Sequence, residues 1–198
     1  MFRINPSLIT FFVSVLGIFL TSSEPGICGV VSVVEKPIAK YTIGESHVYG
    51  RYVVRTIDDE NAAGQDVKVC EKSSNSHSCA PNAEILNLKN DMGQWFAGVS
   101  GKYLFIDLGT SAGPRGIDVY DLESKKKIFS GSYTGSVELK GGQLHFWSET
   151  GEANRQNCPE IDKWQSSGGG AAIETRVIFD LEKLTLSKTK EVRCEYQE

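Results

Sequence analysis

Short apolar runs rich in Val, Ile, Tyr and Phe recur along residues 46–194, each closed by glycine or by a polar cluster. His47–Ile57 ends at Asp58-Asp59-Glu60-Asn61, and Val67–Glu71 enters the polar stretch EKSSNSHS. Trp95–Val99, Tyr103–Leu108, Ile117–Leu122, Ile128–Tyr133, Val137–Leu139, Gln143–Trp147, Ala172–Phe179 and Leu184–Cys194 follow. Glu84–Leu88 is weaker, because Ile85 breaks its alternation. Strands repeating every roughly 8–12 residues with turn signals between them predict an all-β chain, a single antiparallel β-sandwich or barrel-like domain. Gly141-Gly142 predicts a tight hairpin between the strands on either side. Only residues 152–166 depart from this pattern, and there short helical turns are expected. One internal echo stands out. Val119-Tyr120-Asp121-Leu122-Glu123 resembles Ile178-Phe179-Asp180-Leu181-Glu182, which we read as two similar hairpin turns rather than repeated blades.

The N-terminus has a different pattern. Arg3 precedes the apolar run Leu8–Leu20, and polarity returns at Thr21-Ser22-Ser23-Glu24. The run suits a signal-peptide core but falls short of the ~20 residues that a membrane span needs. Small residues at Thr21 and Ser23 place cleavage after Ser23. The expected organisation is therefore a signal peptide at 1–23, a lead-in at 24–45 and a β-rich domain at 46–198. Cleavage would remove a single charge, Arg3, from a chain with a net charge of −4. No second apolar run approaches membrane-spanning length.

Five cysteines fit export to an oxidising compartment. Cys70 and Cys79 bracket a loop that can fold back, so a local disulfide is the first pairing, which leaves Cys158 with Cys194. Sequence alone leaves all three connectivities of four cysteines open. Cys28 is left over. Ile27 sits where a lipobox wants a small residue, which argues against a lipid on Cys28. No C-x-x-C motif or Cys/His cluster suggests a metal, and no cofactor is expected.

The acidic balance argues against a nucleic-acid partner, and Lys125-Lys126-Lys127 is too short to act as a basic patch. Enzyme signatures are missing. Gly98-Val99-Ser100-Gly101-Lys102 misses the nucleophile-elbow pattern at its last position and lacks the strand–turn–helix context. The loop Gly109–Gly116 has no phosphate-loop ending. The three histidines are scattered, and Asp58–Asn61 lacks the alternating spacing of a calcium loop. What remains is Ser100-Gly101-Lys102-Tyr103 between two strands. Gly101 suits the first central position of a type II′ turn, which needs φ > 0. Ser100 and Tyr103 would then pair across the turn and share a face, presenting a hydroxyl and a phenol side by side.

That tetrapeptide resembles the Ser-Gly-x-Tyr loop motif of the bacterial periplasmic lysozyme inhibitors. The longer stretch SGKYLFIDLGTSAGPRGIDVYDL, residues 100–122, is most similar to the inhibitors of invertebrate-type lysozyme. The likeness runs from about residue 46 to 194. It implies a non-catalytic protein of the periplasm whose partner is a lysozyme and whose loop enters the enzyme's cleft; it is also compatible with a homodimer. Carried over, Ser100 and Tyr103 would donate hydrogen bonds to catalytic carboxylates, and Gly101 would allow close approach. Arg115 on the next loop is a further candidate, a bidentate grip on another carboxylate. An alternative of a different class is an envelope scaffold or a β module that binds cell-wall glycans through Trp95, Trp147 or Trp164.

Overall fold

One strand, Tyr103–Leu108, has no solvent face. Leu104 and Ile106 point into one apolar cluster and Phe105 into another, and none of the three is more than 1% exposed. Successive side chains on a strand alternate between faces, so an unbroken apolar run such as LFI requires a layer on each side.

The computed structural model describes residues 31–32, 39–41, 46–58, 62–74, 78–91, 93–110 and 113–197. Its elements are β1 (Val31–Ser32), β2 (Ala39–Tyr41), β3 (Ser46–Val48), β4 (Tyr52–Asp58), β5 (Gln65–Lys72), β6 (Cys79–Leu88), β7 (Gln94–Ser100), β8 (Tyr103–Leu108), β9 (Arg115–Asp121), β10 (Lys126–Lys140), β11 (Gln143–Glu152), α1 (Ile161–Ser166), β12 (Gly170–Asp180) and β13 (Thr185–Gln197). The smaller sheet runs β2-β3-β4-β5-β6, and the larger runs β13-β12-β11-β10-β9-β8-β7. Both are antiparallel meanders, apart from β1, which lies parallel to β10. The chain is all-β, as its pattern of short apolar runs predicts, and α1 falls inside the expected 152–166 segment. Among the described residues no helix is long and apolar enough to cross a membrane. The proposed leader and Cys28 lie outside the described residues.

The larger sheet bends in the middle of β10. Residues 126–133 pair with β9, and residues 134–140 pair with β11. The register breaks between Thr134 and Glu138, next to Gly135 at φ +69°. Sequence patterning predicts two strands here, 128–133 and 137–139. A left-handed glycine that bulges a strand kinks it without ending it, so the two are one. The bend turns β8 and β9 toward β11 and β12. The enclosed cluster holds Phe105, Val119, Tyr133, Phe146 and Phe179, with Phe129 stacked on Phe179 at 4.2 Å. On the opposite side of β8, Val99, Leu104, Ile106 and Leu122 pack against Tyr52, Val54, Val67 and Val69 of the smaller sheet. The order of layers is therefore smaller sheet, β7–β9, then β11–β13.

The echoed segments are two turns of one design. Asp121 Oδ1 accepts the amides of Glu123 and Ser124, each at 2.9 Å. Asp180 Oδ1 accepts those of Glu182 and Lys183 at 3.1 and 2.9 Å. Each turn closes on a left-handed residue, Lys125 at φ 58° and Leu184 at φ 53°. The leucine after each aspartate donates its amide to an earlier hairpin turn, Leu122 to Lys102 and Leu181 to Gly142. Each leucine is 2% exposed, but they enter different clusters. Two disulfides, Cys70–Cys79 and Cys158–Cys194, staple β5 to β6 and the segment before α1 to β13. These are the pairings that the local loop suggests.

Candidate functional site

Strands β7 and β8 meet in a two-residue turn. Val99 and Leu104, both fully buried, anchor the strand ends, and Ser100 faces Tyr103 as the last cross-strand pair. Gly101 has φ +56°, and the left-handed conformation stops there, as a type II′ turn requires. Nothing lies within 4 Å of where a Gly101 Cβ would sit. Glycine is therefore needed for its backbone angle and not for lack of space.

Ser100 and Tyr103 share a face, but their hydroxyls are used differently. The half-buried Tyr103 phenol donates to the Leu181 carbonyl at 3.1 Å, reaching across to the turn between β12 and β13. Burial raises the phenol's pKa, against the opposing charge of Lys102, so it stays a donor. The Ser100 hydroxyl makes no such bond among the described residues. Beside them Lys102 Nζ lies 2.9 Å from Asp121 Oδ2 and 3.6 Å from Glu123 Oε2. The Asp121 hydrogen bond raises the Lys102 pKa. Arg51 continues the chain of charge to Glu123 at 3.2 Å and Glu71 at 3.0 Å, tying the smaller sheet to the hairpin. A cavity of about 360 Å³ opens between Arg51, Glu84, Glu123 and Lys125. The tip thus stands beside a recessed, mixed-charge surface.

Arg115 does not join this site. It begins β9 where Gly116 faces Leu108, at the far end of β8, roughly 17 Å of strand away from Tyr103. It does grip a carboxylate bidentately, but that carboxylate belongs to Asp107 of its own chain. Nε lies 3.0 and 3.1 Å from the two carboxylate oxygens, and Arg115 is only 8% exposed. Tyr133 Oη donates to Asp107 Oδ1 at 2.8 Å. Burial and Asp107 together push the Tyr133 phenol well above its ordinary pKa range. The sequence does carry a signal for this trio. Asp107 interrupts a buried apolar run, and a charge in that position must find a partner.

The tryptophans named for glycan contact are also engaged. Trp95 Nε1 donates to the Gly109 carbonyl at 3.1 Å. The Trp147 ring carries the Arg193 guanidinium at 4.5 Å and that of Arg176 at 5.5 Å. Trp164 meets the ring of Tyr196 edge-on at 5.8 Å. Tyr196, not singled out by the sequence pattern, is the exposed aromatic of this group at 40%. His47 packs on Phe96 at 5.0 Å, and burial lowers the pKa of His145. Ser100 lies on a strand–turn–strand, without the helix that a nucleophile elbow needs. Among the described residues no three His, Cys, Asp or Glu side chains converge as a metal site would require. No protein-family model, curated protein or solved structure matches this chain.

Proposed function

We propose that this protein is an exported, periplasmic inhibitor of lysozyme, with invertebrate-type enzymes as its target, and that it acts by placing the Ser100–Tyr103 hairpin in the catalytic cleft. One observation carries the reading. A type II′ turn pairs a hydroxyl and a phenol on one face, and open space lies where a Gly101 side chain would point. Lysozymes hydrolyse glycans with two acidic side chains in a groove. A narrow tip with hydrogen-bond donors and no carboxylate of its own complements such a groove. Ser100 donates to one catalytic carboxylate. The Tyr103 phenol exchanges the Leu181 carbonyl for the other, trading a neutral bond for a charge-assisted one, and its ring fills a sugar subsite. Each bond to a charged acceptor is worth about 1.5–3 kcal/mol. The two disulfides fit life in an oxidising compartment. Arg115, locked to Asp107, stays outside the contact and holds the far end of β8 in place.

The test is inhibition of cell-wall lysis by the oxidised protein, with invertebrate-, chicken- and goose-type lysozymes assayed in parallel. Stoichiometric inhibition of the invertebrate type is expected. Ser100→Ala combined with Tyr103→Phe keeps the packing and removes both donors, and should weaken inhibition by roughly a hundredfold or more. A folded double variant with undiminished potency, or a wild-type protein that inhibits none of the three, overturns the proposal.

A further inference from the structure

The structure assigns a positioning role to Asp180. Its turn fixes the Tyr103 phenol of the hairpin, 78 residues away in the chain from the carbonyl that receives it. The consequence drawn from this rests on the inhibitor reading, because it concerns how the same tip is made ready for a cleft.

Both echoed turns reach the hairpin. The Asp121 turn holds Lys102 at two atoms. Its Leu122 amide donates to the Lys102 carbonyl at 2.9 Å, and Asp121 Oδ2 lies 2.9 Å from Lys102 Nζ. The Lys102 ammonium in turn sits 5.5 Å from the centre of the Tyr103 ring. The Asp180 turn holds Tyr103, whose phenol donates to the Leu181 carbonyl at 3.1 Å. Lys102 and Tyr103 are consecutive, so two copies of one Asp-Leu-Glu motif grip neighbouring residues of the tip.

Asp180 aims the carbonyl. The Leu181 C=O and the Glu182 N–H belong to one planar peptide, and in a trans peptide they point in opposite directions. Asp180 Oδ1 accepts that Glu182 amide at 3.1 Å and the Lys183 amide at 2.9 Å, so the carbonyl is directed the other way, toward Tyr103. The carboxylate is itself steadied by Gln143 Nε2 at 3.2 Å. On the other side of the residue, the Leu181 amide donates to the Gly142 carbonyl at 3.1 Å, and the side chain is 2% exposed. The acceptor offered to Tyr103 is therefore held from both sides.

The consequence is preorganisation. A half-buried tyrosine at a strand end, with no partner for its hydroxyl, samples more than one rotamer, and suppressing that on binding weakens a complex. With the Leu181 carbonyl in place, the ring waits in one orientation across from Ser100. The hydroxyl hydrogen then changes acceptor when a carboxylate arrives.

NMR of the full oxidised protein tests the tether, and inhibition tests its use. In wild type, the three-bond couplings about the Tyr103 Cα–Cβ bond should report one rotamer. Asp180→Ala should populate a second, and Asp180→Asn, which keeps an acceptor for the two amides, should not. Tyr103→Phe removes the tether without touching the turn and should give the same averaging at position 103, which decides the matter if Asp180→Ala does not fold. Against a lysozyme that wild type inhibits, Asp180→Ala should be weaker by about three- to tenfold, with Asp180→Asn near wild type. In the Tyr103→Phe background, Asp180→Ala should change potency by less than about twofold, because the effect passes through the phenol. An aspartate that only stabilised the fold would cost as much in either background. A single Tyr103 rotamer in folded Asp180→Ala protein overturns the inference, and so does an equal loss in both backgrounds. A wild type that inhibits no lysozyme overturns the inhibitor reading instead, and the couplings still decide the tether.

Discussion

The two ends of β8 use hydrogen bonding in opposite ways. At one end, Asp107 is enclosed by Arg115 and Tyr133, all three less than 9% exposed, with every contact internal. At the other, Ser100 and Gly101 stand at an open turn, and the charged groups nearby are paired at the surface. The buried end can hold position but has no hydrogen-bonding capacity turned outward. Between the two ends, β8 is packed on both faces, with Leu104 and Ile106 in one cluster and Phe105 in the other.

Substitutions at each end should separate these roles. Asp107→Ala should be the most damaging, because it strands the Arg115 guanidinium without a partner. A loss of about 3–5 kcal/mol in urea unfolding is expected, and a loss below about 1 kcal/mol would show that the trio is not a structural anchor. Tyr133→Phe removes one bond to the same carboxylate and should cost about 1–3 kcal/mol, measured the same way.

At the open end the effects become conditional. Burial pushes the Asp121 carboxyl up, but the Ser124 amide, the Lys102 ammonium and the Glu123 amide outweigh it, and the net pKa is lowered. A carboxylate depressed in the folded state contributes stability above its unfolded pKa and loses it as pH falls through the folded value. Asp121→Asn should therefore flatten the acid side of the stability profile below about pH 4 and change little below the folded pKa. An unchanged profile would mean that the pairing seen at the tip does not persist in solution. Ser100→Ala should be the mildest, within about 0.5 kcal/mol of wild type in stability. If it proved as costly as Tyr133→Phe, the tip would be part of the scaffold and the contrast between the two ends would collapse.

Local chemistry made some of this architecture legible. A glycine at the first turn position, an aspartate heading each echoed turn and cysteines bracketing a short polar loop are decided within a few residues of themselves, and the structure has all three. Arg115 was not legible in the same way. An arginine in a glycine-rich loop looks solvent-facing until the chain folds Asp107 beneath it, and that depends on the pairing of β8 with β9. The continuity of β10 was hidden for a related reason, since Gly135 marks a bulge and a strand end equally well. Tyr196 is harder to read from the sequence, because the residues it meets, Gly169 and Trp164, reach it through a segment that the Cys158–Cys194 bond ties to β13.

β10 also bears on how the molecule comes apart. Its first half completes the ladder with β9 and its second half the ladder with β11, so no cut through the larger sheet separates two finished pieces. A protein nicked between Tyr133 and Thr134 would carry a raw strand edge on each fragment, and each edge is the natural template for the other. The fragments should therefore stay associated and melt in a single cooperative transition. Two copies that open at this point together are also equipped to exchange halves.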